Sequence, residues 1–147
     1  MAVEQLVTFS LGAEEFGVDI MRVKEIIRIP AITRVPKAPD FVEGVINLRG
    51  IIIPVVNLRV RFGMPSVEET DLSRIVVIQV DGKAFGVRVD GVTEVLRLES
   101  EAIEPPPTVV MGMDSKYIRG VGKIGDRLLI LLNLNKLMSG ELVNGAS

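Results

Sequence analysis

The sequence predicts a mainly β protein made of two five-stranded barrels with a few short helices. Short runs of alternating hydrophobic and polar residues, separated by tight turns, favour small closed barrels over an open sheet. An internal repeat provides two copies of the same unit, one for each barrel. The chain has 147 residues and 48% hydrophobic composition, which suffices for one well-buried domain. Each half is short for a core of its own, so we expect the halves to pack together.

The repeat consists of two blocks that occur in the same order in each half of the chain. Residues 6–29 align with residues 75–98 without a gap, and 7 of the 24 pairs are identical. Residues 41–62 align with residues 117–138. This arrangement indicates a duplication and not a solenoid, which would need at least three units. The identical pairs that matter below are Val23/Val92, Glu25/Glu94, Gly44/Gly120 and Asn57/Asn133.

In the first block, Leu6–Leu11 and Phe16–Ile20 alternate on either side of a polar turn, which predicts a β-hairpin. For Met21–Ile29 we expect a short turn followed by a strand, because its repeat partner is rich in β-branched residues. Three prolines between Pro30 and Pro39 then predict a loop, since each fixes φ and removes a backbone donor.

In the second block, Asp40–Asn47 is expected to form a short helix or turn, and Ile51–Val56 a buried strand. Pro54 within that strand suggests an edge position or a bulge. Asn57 and Asn133 are placed as N-caps of short helices that end near Gly63 and Gly140.

Two further segments are predicted to be irregular. Ser66–Leu72 is expected to be a polar linker between the halves. Glu104–Thr108 contains three consecutive prolines, so we expect a stiff exposed loop.

Composition excludes several classes of function. The chain has no cysteine and no histidine, so it lacks thiolate chemistry, the commonest general base and the commonest metal ligand. The net charge is -2 and no basic run stands out, which disfavours nucleic-acid binding. Neither a signal peptide nor an apolar run long enough to span a membrane is present, so we expect a soluble, cytoplasmic protein without direct membrane insertion.

Candidate catalytic residues are absent. Two carboxylate pairs, Glu14/Glu15 and Glu68/Glu69, lie in polar turns where solvated charge is expected. Serines have no histidine to activate them, and no phosphate-binding loop occurs. Asp126 and Arg127 are assigned to a hairpin turn. We therefore expect no catalytic activity, no cofactor and no metal.

A protein-binding surface is the alternative. Core packing alone would explain Val23 and Val92, but it explains Glu25, Glu94 and Arg49 less well. Arg49 follows an apolar run and must reach the surface or a partner, because burying an unpaired charge is costly. A groove between the lobes that receives a partner helix is the sharper hypothesis. A small-barrel nucleic-acid binder and a ligand-sensing module stay open as alternatives.

Four segments together resemble one known family. EEFGVDIMRVKEI, VPKAPDFVEGVINLRGIIIPVVNLR, VDGVTEVL and YIRGVGKIGDRLLILLNLNKL are similar to the CheW family of bacterial chemotaxis coupling proteins. The resemblance extends from about Leu6 to Met138, and its most specific motif is GVINLRG, Gly44 to Gly50.

The resemblance implies a non-catalytic scaffold with two intertwined five-stranded SH3-like barrels. It would tie the histidine kinase CheA, through its CheW-like regulatory domain, to the cytoplasmic tips of methyl-accepting chemotaxis receptors. The protein would be cytoplasmic and recruited to membrane-associated receptor arrays. Residues 1–147 would form a single domain, with lobe 1 at about 13–68, lobe 2 at about 69–140 and an N-terminal strand, 3–11, shared between the lobes.

The resemblance also implies two sets of contact residues. Contacts with the kinase, or between neighbours in a ring, are expected at Glu104, Pro105 and Val109. Contacts with the receptor are expected at Val23, Glu25, Asn47, Arg49, Val92 and Val95.

Overall fold

The computed structural model describes residues 2–106, 109–110 and 113–138. Two short α-helices, α1 (Leu58–Arg61) and α2 (Leu134–Met138), and three 3-10 turns (Ile20–Arg22, Ser100–Ala102 and Ser115–Tyr117) accompany a mainly β structure. No helix in these ranges is long and apolar enough to cross a membrane. The strands are β1 (Val3–Leu11), β2 (Glu14–Asp19), β3 (Val23–Ile27), β4 (Val42–Leu48), β5 (Ile51–Asn57), β6 (Arg74–Val80), β7 (Lys83–Val89), β8 (Gly91–Glu99), β9 (Ile103–Glu104), β10 (Val109–Val110), β11 (Met113–Asp114), β12 (Ile118–Ile124) and β13 (Arg127–Leu132).

The strands form two main sheets. Corresponding segments of the two repeat copies form corresponding strands in these sheets. The strand order is β8-β1-β2-β13-β12-β9 in the six-stranded sheet and β3-β6-β7-β5-β4 in the five-stranded sheet. In both sheets the two blocks meet through one parallel pair, β2 with β13 and β7 with β5. The expected β architecture of two lobes is confirmed, with the two-residue strand β9 added to one sheet.

The sheets do not follow the expected lobe boundaries at about 13–68 and 69–140. The first hairpin, β1–β2, joins strands of the second half, and the hairpin β6–β7 joins strands of the first half. Both β1 neighbours, β2 and β8, lie in the six-stranded sheet, so β1 pairs within one sheet only. The 3-10 turn Ile20–Arg22 carries the chain from one sheet to the other, and Asp19 stabilises it by accepting a 2.9 Å hydrogen bond from the Met21 N–H.

Each sheet curls around a small hydrophobic cluster of its own. Leu6, Leu98, Leu129 and Leu131 fill the six-stranded sheet, and Ile46, Ile53, Val55, Ile75 and Val77 fill the five-stranded one. Gly122 of β12 leaves room for Leu98 of β8, since a Cβ atom there would lie 2.6 Å from Leu98 Cδ2. Strands β8 and β12 therefore lie close together across the six-stranded sheet.

The largest cluster lies between the two sheets. It is built from strand residues of both sheets together with residues of the two α-helices. Phe16 stacks between Phe9 and Phe62, with ring centroids 5.7 and 5.8 Å apart. The Arg61 guanidinium lies over Phe41 and Tyr117, which are repeat partners. The interior between the lobes is thus a packed core and not an open cleft.

Several local predictions are confirmed. The first hairpin, the strand after the 3-10 turn and strand β5 form where expected. Asn57 caps α1 by accepting a 3.3 Å hydrogen bond from the Val60 N–H, and Asn133 accepts one of 3.2 Å from the Lys136 N–H. Gly63 follows α1 with a φ of 77°. Gly140 lies outside the described residues.

The helix or turn expected for Asp40–Asn47 is wrong, because this segment forms β4. A register shift between Val42 and Gly44 interrupts the alternation that normally marks a strand. Gly44 has a φ of 151° and lets the backbone of Thr33 approach closely. Thr33 and Val45 exchange two backbone hydrogen bonds of 2.9 and 2.8 Å.

The edge or bulge position expected for Pro54 is also wrong, since β5 lies between β4 and β7. Pro54 pairs with Val45, whose backbone groups are directed to Thr33, and pairing with β7 begins one residue later at Val55. Val45 and Pro54 therefore form a pair without backbone hydrogen bonds between them. Glu104, the first residue of the segment expected to be an exposed loop, belongs instead to β9 and pairs with Val121. Residues 107–108 of that segment lie outside the described residues.

Candidate functional site

Arg49 occupies the tip of the hairpin between β4 and β5. Arg49 and Gly50 both have positive φ values, 53° and 86°, as the two-residue hairpin turns that match strand twist require. Asn47 supports the turn by accepting a 2.8 Å hydrogen bond from the Gly50 N–H. The turn therefore holds the arginine away from the sheet, and 71% of its side chain is exposed.

Glu25 of β3 binds Arg49 through two hydrogen bonds. The distances are 2.5 Å from Nη1 to Oε2 and 2.7 Å from Nη2 to Oε1. The hydrogen bond from Arg49 lowers the pKa of Glu25, and the same bond raises the pKa of Arg49. Because β3 and β4 are the two edges of the five-stranded sheet, this ion pair bridges the opening between them.

The six-stranded sheet carries a related cluster. Glu94, the repeat partner of Glu25, is 2.8 Å from Arg127 at the start of β13, and Arg127 also binds Glu15 of β2 at 2.6 Å. These hydrogen bonds, with that to Glu15 the larger cause, raise the pKa of Arg127. Thr93 donates to Glu15 at 3.2 Å and hydrogen-bonds to the fully buried Thr8.

Sequence reasoning missed this second cluster. The repeat contained the signal for it, because Glu94 aligns with Glu25 and Arg127 follows the turn that aligns with the Arg49 turn. Of the two residues assigned to a hairpin turn, Asp126 lies in the turn, whereas Arg127 is the first residue of β13. That assignment said nothing about the partners of Arg127.

Of the predicted receptor-facing valines, Val23 shares strand β3 with Glu25, whereas Val92 and Val95 lie on β8 of the other sheet. Val23 and Val92 are half-buried, and both pack against the central cluster. Val95 is 55% exposed on β8. Because the central cluster fills the interior between the sheets, a partner that touches Val23 and Val92 must do so at the outer margin of this core.

The residues predicted for kinase or ring contact lie on the six-stranded sheet and just beyond it. Glu104 of β9 is exposed and forms an exposed ion pair of 3.1 Å with Lys123. Pro105 follows it and is also exposed. Val109 begins β10, which pairs with β11, and residues 107–108 lie outside the described residues.

Comparison with known proteins decides the family. Residues 5–142 match the model of the CheW-like domain.

The chain belongs to the CheW family.

Two chemotaxis proteins named CheW illustrate the similarity. The protein from Klebsiella aerogenes is 39% identical over 138 residues, which cover 94% of this chain and 83% of that protein. The protein from Treponema pallidum is 40% identical over 141 residues, which cover 93% and 83% of the two chains.

A solved CheW structure shares the fold. The scaffolding protein TtCheW from Thermoanaerobacter tengcongensis superposes with a TM-score of 0.88 at 38% identity, covering 95% of this chain and 90% of that one. Membership in the CheW family makes this chain a chemotaxis adaptor. A nucleic-acid binder or a ligand sensor is not favoured.

Proposed function

We propose that this chain couples the cytoplasmic tips of methyl-accepting chemotaxis receptors to the histidine kinase CheA and acts without catalysis. The observation that carries the proposal is the similarity of nearly the whole chain to CheW proteins, one of them a scaffolding protein of known structure. Coupling also implies that the protein is recruited from the cytoplasm to membrane-associated receptor arrays.

For the receptor contact we propose the surface around the Glu25–Arg49 ion pair, with Asn47, Val23, Val92 and Val95. Arg49 supports this choice because it is largely exposed, yet a rigid turn and a bidentate ion pair fix its position. A fixed guanidinium loses little conformational entropy on binding, which favours recognition.

For the kinase or ring contact we propose Glu104, Pro105 and Val109. Glu104 is held by pairing of β9 with β12, and the adjoining Pro105 is exposed. Two separate and modest surfaces suit an adaptor, because many weak contacts in an array gain strength through effective concentration.

The test measures binding of a receptor-tip fragment and of the CheA regulatory domain separately by calorimetric titration. Arg49→Asn removes the guanidinium and keeps a residue that tolerates positive φ. We expect it to weaken receptor binding by about tenfold or more and to leave CheA binding unchanged. The matched control is Arg119→Asn, which removes the arginine of a different ion pair, with Glu4 at 2.6 Å, and should leave both affinities unchanged.

Glu104→Lys should change the affinity for the CheA regulatory domain and leave the affinity for the receptor-tip fragment unchanged. Unchanged receptor binding by the Arg49→Asn variant would remove this surface from the receptor site. Failure of the wild-type chain to bind either protein would overturn the proposed function itself.

A further inference from the structure

Each main sheet is assembled from both halves of the chain, the first half ending before the segment Ser66–Leu72 and the second beginning after it. Hairpin β1–β2 of the first half pairs with β13 of the second, and hairpin β6–β7 of the second half pairs with β5 of the first. The same hydrophobic pattern occurs in both halves, so it would equally allow each half to pair with its like in a second copy of the chain. The charged residues differ between the halves and distinguish these two arrangements.

In the five-stranded sheet the two halves meet at a partly buried ion pair. Glu43 of β4 accepts a 2.6 Å hydrogen bond from Nη1 of Arg88 on β7, and the exposed fractions of the two side chains are 19% and 17%. Asn57 donates to the same carboxylate oxygen at 2.7 Å, and Arg88 also donates to the Val67 carbonyl at 2.9 Å. The ion pair therefore joins β4 of the first half to a hairpin of the second half in a fixed geometry.

The repeat partners of this ion pair carry the opposite charges. Glu43 aligns with Arg119, and Arg88 aligns with Asp19. In the six-stranded sheet Arg119 of β12 binds Glu4 of β1 at 2.6 Å. Asp19 and Arg119 also line one cavity of about 280 Å³. Strand β12 is thus basic where β4 is acidic, and hairpin β1–β2 is acidic where hairpin β6–β7 is basic.

A second set of aligned positions differs in polarity. Glu15 of β2 and Arg127 of β13 form an ion pair of 2.6 Å. Their repeat partners, Ala84 of β7 and Ile51 of β5, line an apolar cavity of about 260 Å³ in the five-stranded sheet. If like halves paired, Glu15 would lie against Ile51, where a carboxylate without a partner is costly.

Pairing of like halves between two copies would also bring like charges together. Glu43 would face the acidic hairpin that carries Glu4 and Asp19. Arg119 would face Arg88. Like charges at such partly buried positions repel one another more strongly than in bulk water, because the surrounding protein screens them less. The pairing found in the structure instead gives each of these charges an opposite one.

We propose that these charges select the pairing of unlike halves, which lets one chain complete both sheets without exchanging hairpins with another copy. The selection acts during folding, when a half meets either its complement in the same molecule or its like in another. Attraction between unlike halves favours the first encounter, and repulsion between like halves disfavours the second. The proposal concerns assembly of the fold and does not depend on the receptor or kinase contacts.

Two charge exchanges in the full chain test the proposal. Glu4→Arg with Arg119→Glu exchanges the pair of the six-stranded sheet, and Glu43→Arg with Arg88→Glu exchanges that of the five-stranded sheet. Each exchange preserves both native ion pairs and the net charge, yet it also makes like halves complementary. After refolding from denaturant at high protein concentration, each variant should contain about tenfold or more as much dimer as the wild type. Sedimentation velocity after dilution measures this fraction, since a dimer with exchanged hairpins separates only by unfolding.

Combining both exchanges gives the diagnostic result. The four charges of the two ion pairs are then all reversed, so unlike halves are again complementary and like halves repel. The combined variant should refold to monomer as completely as the wild type, although it carries twice as many substitutions as either exchange. A loss of stability alone does not produce such a rescue. The matched control is Glu104→Lys with Lys123→Glu, which exchanges an ion pair within the second half and should leave the dimer fraction unchanged.

An engineered disulfide reports which strands have paired, because the chain has no cysteine. Gln5 of β1 pairs with Arg97 of β8, and Arg97 aligns with Arg28 just after β3. Paired residues of neighbouring antiparallel strands have Cα atoms about 5 Å apart, which suits a disulfide. Gln5→Cys with Arg28→Cys should therefore link two copies covalently in the exchange variants and leave the otherwise wild-type chain unlinked.

Thermal melting of each variant checks its fold. If Glu43→Arg with Arg88→Glu unfolds, Glu43→Gln with Arg88→Gln replaces it, and this neutral variant should raise the dimer fraction because it removes the repulsion between like halves. The proposal is overturned if the single exchanges refold to monomer as completely as the wild type. It is also overturned if the combined variant contains as much dimer as either exchange alone.

Discussion

Asp90 accepts two hydrogen bonds from the guanidinium group of Arg59, at 2.9 Å from Nε to Oδ1 and 2.5 Å from Nη2 to Oδ2. The same carboxylate accepts a 2.7 Å hydrogen bond from the Gly12 N–H in the β1–β2 turn. Arg59 belongs to α1, which directly follows strand β5 of the five-stranded sheet. The half-buried carboxylate of Asp90 therefore connects a turn of the six-stranded sheet to a helix attached to the five-stranded sheet.

Replacing Asp90 with Asn should destabilise the protein. The substitution removes the charge that pairs with Arg59, whose side chain is only 15% exposed. We expect the free energy of unfolding to fall by about 1–3 kcal/mol, measured by chemical denaturation. Glu104→Gln is the matched control, because both side chains of its ion pair with Lys123 are more than half exposed and such pairs contribute little. Equal effects of the two changes would contradict the role given to Asp90.

The contribution of Asp90 should depend on pH in one direction. The hydrogen bond from Arg59 lowers the pKa of Asp90 in the folded state below the ordinary value of 3.8. A lowered folded-state pKa means that the stabilisation is complete above the unfolded-state pKa and is lost as pH falls through the folded-state pKa. The stability difference between wild type and Asp90→Asn should thus be constant near neutral pH and shrink below about pH 4. A difference that grows on acidification would refute this assignment.

Arg61 should contribute to stability through its aromatic neighbours. Its guanidinium carbon is 4.1 Å from the Phe41 ring centre and 4.6 Å from that of Tyr117. Each cation–π contact is worth about 0.5–2 kcal/mol, so Arg61→Leu should lower the free energy of unfolding by about 1–3 kcal/mol. Arg61→Lys should have an intermediate effect, since it keeps the charge without the planar group. The exposed Arg97 supplies the control variant, Arg97→Leu.

Gly44 should be intolerant of any side chain. A Cβ atom there would collide with the backbone of Thr33, in addition to the strain of a φ of 151°. Gly82 also has a positive φ, 79°, but no atom lies within 4 Å of the position a Cβ atom would take. Gly44→Ala should therefore lower the melting temperature far more than Gly82→Ala, and similar shifts for both would show that only the dihedral angle matters.

A charge exchange should separate the structural role of Glu25 and Arg49 from their role in contact. Glu25→Arg combined with Arg49→Glu can restore an ion pair at the same place, but with the exposed charge inverted. We expect the melting temperature to stay close to that of wild type while receptor-tip binding is lost. If the exchange restores binding as well, the two residues act only by holding the sheet edges together.

The sequence predicted the repeated units well and their assembly poorly. Hairpins, the Asn57 and Asn133 caps and the turn at Gly63 depend on residues close in the chain, so local patterns were sufficient. The exchange of hairpins between the halves depends on which strands pair across the duplication, and identical patterns in both copies cannot specify that choice. Strand β4 was missed because Gly44 interrupts its pattern. The glycine is needed where the backbone of Thr33 approaches, and hydrophobic periodicity cannot reveal such a contact.

The candidate site was predicted to a similar extent. Glu25 and Arg49 were both identified, yet only the structure shows that they bind each other. Glu15 and Ala84 are aligned residues of the two sheets, and their neighbours come from distant strands. Only the structure shows that Glu15 binds Arg127 and that Ala84 lines the same cavity as Ile51.

The exchanged hairpins make the two repeat units depend on each other. One unit alone would place its first hairpin and its remaining strands in different sheets, and could complete both only by reciprocal exchange with a twin. A single unit would thus need a second copy of itself to complete either sheet, and in this chain the segment Ser66–Leu72 joins the two units within one molecule.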